Sequence, residues 1–581
     1  MKKLSFLLAI LLLLSVCFIT ACKEEHPEET TPQNATAEET TPGETTPGET
    51  TAPEPVQPVV HAKILIEQLA NYEIVSAKSS SEETDKLTKE LQQAVQNAFE
   101  LPISLKTENA YNKTQYEILI GNTNREESQT FLSQMKYDDY GYAIVGDKLV
   151  IAGKNEDGTL MALRAFLEHV QKNDGEVFFT NKDQLLVKKQ YPYPTISING
   201  VAAEELSILC NEQSLGGVAQ IIRDAIIRSC GIAVPIVTDR DVESLEKVIL
   251  IGDTAHIDVD AAPDEIAYPT GREYYIDTFS CCAWLKAKTA AGYYSAAAYI
   301  ESYILPNCKG GDNVVLANGA YEGEDAIAVM SFNLMAGKED KRADSIVETI
   351  LKYRPAVVGV QEATDNWMNI LRGRLGDTYT IVGVGRNADG HDEHSAILYL
   401  TEEFNCLESG TKWLSDTPDI AGSKFESSHY TRIMTYVHLS RKSDGKQILH
   451  VNTHLDYTIK PEEQATQVAQ MQVVLNEIAK FSGIPTIITG DFNADSNSQA
   501  YRAVLDAGYR ATAEFLLSAE RAPTYHALMG TTGEPSHIDF IFRKGMEYTY
   551  YYRICTERVN NENVSDHYPV LSVLTFSSTG K

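Results

Sequence analysis

Carboxylate and carboxamide side chains follow a short apolar strand at Ile484–Asp495, which reads IPTIITGDFNAD. The uncharged run TIIT is β-branched throughout, which is typical of a buried strand. Gly490 ends the run, and Asp491 and Asn493 come just after it, two positions apart. Such an end either holds polar groups for chemistry at a sheet edge or forms an Asx turn that closes the strand.

The same arrangement recurs along the C-terminal part of the chain, where apolar strands end at, or carry, an acidic, amide or imidazole side chain. Several such ends at one sheet edge would form a polar crevice. Crowded carboxylates repel one another unless a cation lies among them, and oxygen ligands without thiolates favour Mg²⁺ or Mn²⁺ over zinc. Phosphoryl transfer is the reaction that such an ion serves best. The residues concerned are Asn333, Glu362, His454, Asp491, Asn493, Asp539, Asp566 and His567.

Six of these segments, taken in order, resemble the motif set of the endonuclease/exonuclease/phosphatase superfamily. They are Asn333, the Gln-Glu pair that ends at Glu362, NTHLD, GDFNAD, HIDFIF and SDHYPV. The resemblance covers about 326–576. It implies an α/β fold, namely a four-layered sandwich in which two mixed sheets pack face to face with helices outside. It also implies an Mg²⁺- or Mn²⁺-dependent hydrolase of phosphoester bonds.

The resemblance implies a role for each matching residue. Glu362 would be the main metal ligand, helped by Asn333 and Asp566. Asp491 and Asn493 would orient the attacking water and the phosphate.

Two imidazole–carboxylate couples would lie beside the scissile phosphorus, His567 with Asp539 and His454 with Glu393. Each carboxylate would fix the tautomer of its ring and favour the protonated form. One couple would then serve as general base or stabilise the transition state while the other protonates the leaving oxygen. The alternative for Glu393 is a plain surface glutamate in a loop rich in His and Asp.

Two further residues, Arg432 and His526, are candidate phosphate contacts, and the alternative is that they are merely packed. The Ser-Trp-x-Asp-Arg motif typical of inositol polyphosphate 5-phosphatases is missing, because HIDFIF stands in its place. This difference argues against an inositol phosphate substrate.

The formal net charge of −31 argues against broad, non-specific adhesion to nucleic acid, which depends on clustered Lys and Arg. The negative charge does not exclude an enzyme that binds phosphate through a metal ion. Substrate classes that stay open are nucleic acid, a nucleotide, and a lipid or glycan phosphate.

The N-terminus predicts export and lipid attachment. Lys2 and Lys3 precede an apolar run, and a lipobox-like Ile-Thr-Ala-Cys ends at Cys22. We expect a signal peptide over 1–22, lipidation of Cys22 and a bacterial cell-membrane protein that faces outside. The alternative is an ordinary signal peptide in which Cys22 is incidental. Residues 23–58 are rich in Thr, Pro and Glu, which predicts a solvated, disordered linker.

The middle of the chain resembles itself. EILIGNT at 117–123 recurs as VILIGDT at 248–254, and other matches keep a similar offset. We therefore predict two small α/β domains, 59–190 and 191–322, followed by a catalytic domain over 323–577. The two copies resemble α/β accessory domains of exported glycoside hydrolases, which implies scaffolding or contact with surface glycans.

Three functions remain to be compared. The first is a surface phosphodiesterase that is nuclease-like and directs water at phosphorus in line. The second is a phosphomonoesterase, or a lipid or glycan phosphodiesterase, of the same fold. The third is a surface glycan-binding protein whose catalytic domain has decayed, which the presence of Glu362 and His567 argues against.

Overall fold

The computed structural model describes most of the chain from residue 63 to residue 576. The predicted signal peptide, Cys22 and the linker lie outside the described residues, so the expectations for them stay predictions. Among the helices that the structure does describe, none is both long and apolar enough to cross a membrane. The description covers 63–576 except for 110–111, 173–176, 257–271, 279–280, 308–312, 324, 458–463, 516–522, 528–535 and 556–557.

The first copy of the duplicated region is built on one six-stranded sheet in the order β3-β2-β4-β6-β5-β8. β3, β2, β4 and β6 are parallel, and β5 and β8 are antiparallel to their neighbours. Its elements are β1 Lys63–Leu65, β2 Glu73–Ser76, α1 Glu82–Phe99, β3 Ser104–Thr107, β4 Glu117–Ile120, α2 Glu126–Ser133, β5 Tyr140–Val145, β6 Lys148–Gly153, α3 Glu156–Lys172, β7 Val177–Thr180 and β8 Leu185–Val187.

The second copy repeats this arrangement in the order β12-β11-β13-β15-β14-β17, again with four parallel strands and two antiparallel ones. The repeated Ile-Gly-Asn/Asp-Thr turn has a structural reason, because Gly121 and Gly252 adopt φ values of 75° and 76°, which favour glycine. Its elements are β9 Ser197–Ile198, β10 Val201–Ala202, β11 Ser207–Cys210, α4 Gly216–Cys230, β12 Ile236–Val237, β13 Val248–Ile251, β14 Tyr274–Asp277, β15 Ala283–Ala287, α5 Ala290–Asn307, β16 Asn313–Val314 and β17 Gly319–Tyr321.

The C-terminal region contains two six-stranded mixed sheets, β20-β21-β19-β18-β29-β28 and β22-β23-β24-β25-β27-β26. Its strands and helices are β18 Ala326–Asn333, α6 Glu339–Tyr353, β19 Val357–Ala363, α7 Asp365–Leu375, β20 Tyr379–Val382, β21 His394–Leu400, β22 Phe404–Trp413, β23 Ile433–Arg441, β24 Gln447–His454, α8 Gln464–Ile478, β25 Thr486–Asp491, α9 Gln499–Asp506, β26 Arg510–Ala511, β27 Asp539–Lys544, β28 Met546–Ile554 and β29 Val570–Phe576.

These two sheets pack face to face through their central strands, with β18 and β19 against β24 and β25. Helices α6 and α7 bury apolar side chains on the outer face of the first sheet, as Ile346 and Trp367 do. Helices α8 and α9 do the same on the second sheet, through Val474 and Val504. The predicted α/β class and the four-layered sandwich are confirmed.

Strand direction brings the polar strand ends together. β18 runs parallel to β19, and β24 runs parallel to β25, so their carboxyl ends share one edge of the sandwich. β27 is antiparallel to β25, and its first residue, Asp539, pairs in register with Asp491. β29 is antiparallel to β18, so Asp566 and His567, just before β29, reach the same edge.

Candidate active site

A cleft of ≈ 700 Å³ lies at this edge, over the carboxyl ends of the central strands. It contains four of the predicted acidic residues and both predicted imidazoles. Asn333 and Asp539 are buried next to it. The side chains around the cleft include Glu362, Glu393, Arg386, Arg432, Tyr430, Tyr457, His454, Asp491, Asn493, Tyr525, Asp566 and His567.

Glu362 reaches the cleft because β19 bulges just before its end. The register with β21 shifts between Val360 and Ala363, and Glu362 has φ 54° in the left-handed region. A non-glycine residue held there stores local strain, which is common at functional sites. The Glu362 carboxylate accepts hydrogen bonds from the Ala336 amide at 2.8 Å and from Asn333 Nδ2 at 3.1 Å.

Asn333 links the acidic groups to one another. Its Oδ1 accepts a hydrogen bond from the Met335 amide at 2.9 Å, so its Nδ2 faces the cluster. Nδ2 donates to Glu362 and, at 3.0 Å, to Asp491 Oδ2. In this arrangement Asn333 orients the carboxylates of Glu362 and Asp491, and its predicted role as a metal ligand stays a prediction.

His567 and Asp539 form the first predicted couple. His567 Nδ1 lies 2.8 Å from Asp539 Oδ2, and the other ring nitrogen lies 3.7 Å from Asp491 Oδ2. Burial alone would lower the pKa of His567, but Asp539 and Asp491 outweigh it and raise this pKa to about 10. The ring is therefore an imidazolium between two carboxylates, because neighbouring negative charges stabilise the protonated form of a buried histidine.

Asp491 has the opposite balance. It is buried, and burial together with the charge of Asp539 raises its pKa to about 7. Its Oδ1 accepts a hydrogen bond from the Asn493 amide at 2.8 Å, which fixes the carboxylate. A carboxylate with a pKa near neutrality can accept a proton during a reaction at neutral pH.

The second predicted couple is wrong in its pairing. Glu393 Oε2 accepts a hydrogen bond from Arg386 Nη1 at 2.6 Å, whereas His454 Nε2 lies 2.9 Å from Asn493 Nδ2 and 3.6 Å from Asp491. Burial, with Arg432 nearby, holds the pKa of His454 well below its usual value. His454 is therefore neutral and accepts from Asn493, because the arginine has taken its expected carboxylate.

Two arginines and a tyrosine form one wall of the cleft. The guanidinium groups of Arg386 and Arg432 lie 5.4 Å and 5.3 Å from the centre of the Tyr430 ring. Arg432 is 6% exposed, and its ion pairs are long, 3.9 Å to Glu393 and 3.6 Å to Asp456. Its Nε makes no hydrogen bond among the described residues, so this buried cation can still accept an anionic partner.

The second predicted phosphate contact, His526, is packed behind the cleft. Its ring stacks on Tyr568 at 4.1 Å, and its amide donates to the Asp566 carbonyl at 2.9 Å. The neighbouring Tyr525 lines the cleft instead, with its ring 4.9 Å from that of His567. Neighbouring side chains in an extended segment point to opposite faces. An error of one residue in the prediction therefore selects a packed side chain instead of the one that lines the cleft.

Sequence reasoning also missed Arg386, Tyr430 and Tyr457. Tyr430 and Tyr457 are each 51% exposed, which is unusual for large aromatic side chains at the mouth of a cleft. All three lie in segments between strands, where no periodicity marks them. The Gly-Val-Gly-Arg stretch that ends at Arg386 was the available signal, because glycines beside a cation often let the chain approach a ligand closely.

A layer of buried polar side chains lies one step beneath the site. Asn452 and Thr489 stand two residues before His454 and Asp491, so they share the same face of the second sheet. Asn452 contacts the opposite sheet through hydrogen bonds to the Val360 and Ala396 carbonyls at 2.8 Å and 2.9 Å. This layer fixes the spacing of the sheets beneath the cleft.

The donor set suits a hard divalent cation. Glu362 and Asp566 both line the cleft, and burial, with the charge of Glu362, raises the pKa of Asp566. Asp491, Asp539 and His567 also bring potential ligand atoms within 4.8 Å of one another. In that second group the imidazolium already balances the carboxylates, so Glu362 and Asp566 are the better ligands.

The fold and the site together define an α/β sandwich with an acidic, imidazole-containing cleft at the carboxyl ends of its central strands. Residues 330–567 match the model of the Endonuclease/Exonuclease/phosphatase family. The C-terminal region therefore carries a domain of the endonuclease/exonuclease/phosphatase superfamily.

Several proteins resemble this region. Nocturnin from Xenopus laevis is 26% identical over 243 residues, which are 39% of this chain, and the chain spans 60% of the length of that relative. A solved endonuclease/exonuclease/phosphatase from Bacteroides vulgatus is 26% identical and covers 43% of this chain and 99% of its own, with a TM-score of 0.39. A Bacteroides thetaiotaomicron mannosyl-6-phosphatase is 28% identical. The match covers 43% of this chain and 100% of the phosphatase, with a TM-score of 0.38.

Proposed function

We propose that the C-terminal domain is a metal-dependent phosphoesterase that cleaves phosphodiester bonds by in-line attack of water. One observation carries this proposal. Glu362, Asp491 and Asp566 meet in a single cleft beside an imidazolium that Asp539 holds. These are the groups needed to bind a cation, accept a proton and stabilise charge on phosphate.

Glu362 and Asp566 would hold a divalent cation, Mg²⁺ or Mn²⁺. When bound, the cation would neutralise phosphate oxygens and orient the phosphoryl group. The Ala336 amide fixes Glu362 for this role through a hydrogen bond. Asn333 Nδ2 donates to the same carboxylate and to Asp491, and so links the two.

Asp491 would act on the attacking water. It takes one proton from the water as the water oxygen forms its bond to phosphorus, since its raised pKa favours that transfer. Asn493 positions the same water, because its amide group is held by the Leu455 carbonyl at 3.1 Å.

His567 would act on the leaving group. As the bond from phosphorus to the leaving oxygen breaks, Nε2 of the imidazolium donates its proton to that oxygen. Asp539 keeps the ring charged until then through Nδ1. The water oxygen ends on the phosphate product, and the leaving group departs as an alcohol.

A second candidate is hydrolysis of a terminal phosphate monoester. The cleft contains two guanidinium groups, Arg386 and Arg432, and a monoester dianion carries one more negative charge than a diester. Exposed Tyr430 and Tyr457 at the mouth could stack on a base or a sugar in either case.

For the whole chain, the proposal is an exported lipoprotein in which Cys22 tethers the enzyme outside the cell. The lipobox-like sequence supports this location, and the duplicated domains, which follow the linker in the sequence, could contact surface glycans. Membrane fractionation of the wild type and Cys22→Ala tests it, since the variant should leave the membrane fraction.

A substrate panel tests the catalytic proposal. It comprises plasmid DNA, RNA, bis-p-nitrophenyl phosphate, p-nitrophenyl phosphate, sphingomyelin and sugar phosphates, each with Mg²⁺ and with EDTA. Chelator-sensitive hydrolysis that prefers the bis-ester supports the main proposal, and preference for the monoester supports the second candidate. No hydrolysis of any of these would count against both and leave a binding role.

A further inference from the structure

A tight turn precedes the catalytic Asp566-His567 segment and contacts the first duplicated domain. This clamp turn, Arg558–Glu562, is closed by hydrogen bonds between Val559 and Glu562 at 3.0 Å and 2.9 Å. Its central residues, Asn560 and Asn561, have φ values of 52° and 64°. Asparagine tolerates this left-handed backbone well, so the sequence specifies a rigid turn.

The clamp turn binds the amino end of helix α1. Glu562 Oε1 accepts a hydrogen bond from the backbone amide of Glu82, the first residue of that helix, at 2.7 Å. Asn561 Nδ2 donates to the Ser79 carbonyl just before it. The first amides of a helix have no partner within the helix, and an anion there also meets the positive end of the helix dipole.

Arg558 supplies a partly buried ion pair to the same domain. Its side chain is 7% exposed, and it bonds Asp157 at 2.8 Å and lies 3.5 Å from Glu83. Its Nη1 also donates to the Asn561 carbonyl at 3.0 Å, so the same guanidinium closes the turn and fastens it. Breaking a buried pair strands a charge, which makes this attachment costly to lose.

The clamp turn is close in sequence to the catalytic groups. Only three residues separate Glu562 from Asp566, and one of them, Ser565, donates to the Asn333 carbonyl at 2.7 Å. Even when fully extended, this stretch spans at most about 14 Å from Glu562 to Asp566, so little slack separates the turn from the cleft. Tyr568, just past His567, is buried.

We infer that the first duplicated domain is a positioning element for catalysis. Through Glu562 and Arg558 it holds the segment that carries Asp566 and His567 in place. Glu562 and Arg558 are positioning residues, because they act on the cleft only through the backbone that leads from the clamp turn to Asp566. This inference goes beyond the proposed activity, because it assigns a catalytic purpose to a domain that has no groups in the cleft.

The full-length variant Glu562→Ala tests this inference, with two readouts. The first is steady-state hydrolysis of bis-p-nitrophenyl phosphate, in which kcat should fall about tenfold while KM changes less than twofold. The second is hydrogen exchange of backbone amides in 564–568, which should become at least tenfold faster. Glu562→Gln keeps an oxygen acceptor for the Glu82 amide, so its kcat and its exchange rate in 564–568 should be close to those of the wild type.

Lys341→Ala is the matched control. Lys341 also reaches the amino end of α1, with Nζ 3.7 Å from Glu82 Oε1, but it lies on α6, both side chains are exposed, and it is remote from the clamp turn in sequence. It should leave kcat and the exchange of 564–568 unchanged.

Unchanged kcat and unchanged exchange in Glu562→Ala would overturn the inference. A lower melting temperature with no change in kcat would also overturn it, because a merely structural contact would lower stability without altering kcat of the folded protein. The exchange readout needs no activity. If the wild type hydrolysed none of the substrates, the proposed function would fail, while exchange would still decide whether the first domain holds the segment.

Discussion

Replacing Asn452 with leucine should destabilise the C-terminal domain by about 4 kcal/mol. The buried Asn452 amide makes four hydrogen bonds. It donates to the Val360 and Ala396 carbonyls at 2.8 Å and 2.9 Å, and it accepts from Gln361 at 2.7 Å and from Thr489 at 3.0 Å. At about 1 kcal/mol net for each bond, the loss of these four hydrogen bonds gives this magnitude.

Unfolding in urea, followed by tryptophan fluorescence, measures the change. Two of the three tryptophans, Trp367 and Trp413, lie in the C-terminal domain, so the signal reports on it. The matched control is Asn476→Leu, because the Asn476 side chain makes an exposed contact with Gln472 at 2.9 Å. The control should change the free energy of unfolding by less than about 0.5 kcal/mol.

Asn452→Leu should also lower activity. Asn452 fixes the two sheets directly beneath His454 and Asp491, so its loss should lower kcat together with stability. A loss below about 1 kcal/mol would refute the reasoning, because it would mean that the polar layer does not fasten the sheets.

Three further predictions concern the site and its surroundings. Asp539→Asn should lower kcat/KM on the order of 10³-fold or more, because His567 loses its charged partner; NMR should then place the pKa of His567 nearer its usual value. Arg432→Met should lower kcat/KM about 30-fold, the equivalent of one lost charge-assisted hydrogen bond, in the same assay. Burial lowers the pKa of His450 to about 3, so the unfolded chain binds a proton below about pH 6.5 that the folded chain does not. His450 should therefore contribute a fall in stability of about 1.4 kcal/mol between about pH 7.5 and 5.5, and His450→Gln should lack this component in urea titrations.

Each of these has a contradicting outcome. Asp539→Asn with wild-type kcat/KM would mean that the couple has no catalytic role. An unchanged kcat/KM in Arg432→Met would make Arg432 a packing residue. If His450→Gln kept the full dependence on pH, other groups would be responsible for it.

The meeting of the acidic residues could be predicted because it follows from local pattern. Asn333, Glu362 and Asp491 each stand at the end of an apolar strand, and parallel strands place such ends together. The His567 couple with Asp539 also followed from ordered motifs, and the structure places them 2.8 Å apart.

The failures concern competition between partners far apart in sequence. Glu393 pairs with Arg386 and not with His454, and no periodicity could rank those partners. His526 is packed whereas Tyr525 lines the cleft, and a sequence does not specify which of two adjacent side chains faces the cleft.

The clamp turn was missed for a similar reason. Arg558 reads as a surface residue in the sequence, and only the packing of the first domain against it buries the side chain. Contacts between domains carry no short-range signal, because their residues come from distant segments of the chain, as the separation of 401 between Arg558 and Asp157 illustrates.

The most direct test of the central claim is the rate of bis-p-nitrophenyl phosphate hydrolysis by the wild type and Glu362→Ala, with Mg²⁺ and with EDTA. Glu348→Ala, at an exposed position on the outer helix α6, is the control. We predict hydrolysis that EDTA abolishes and that Glu362→Ala lowers on the order of 10³-fold, with the control unaffected. Hydrolysis that continued in EDTA, or that was equal in the wild type and Glu362→Ala, would contradict the claim that this cleft is a metal-dependent phosphoesterase site.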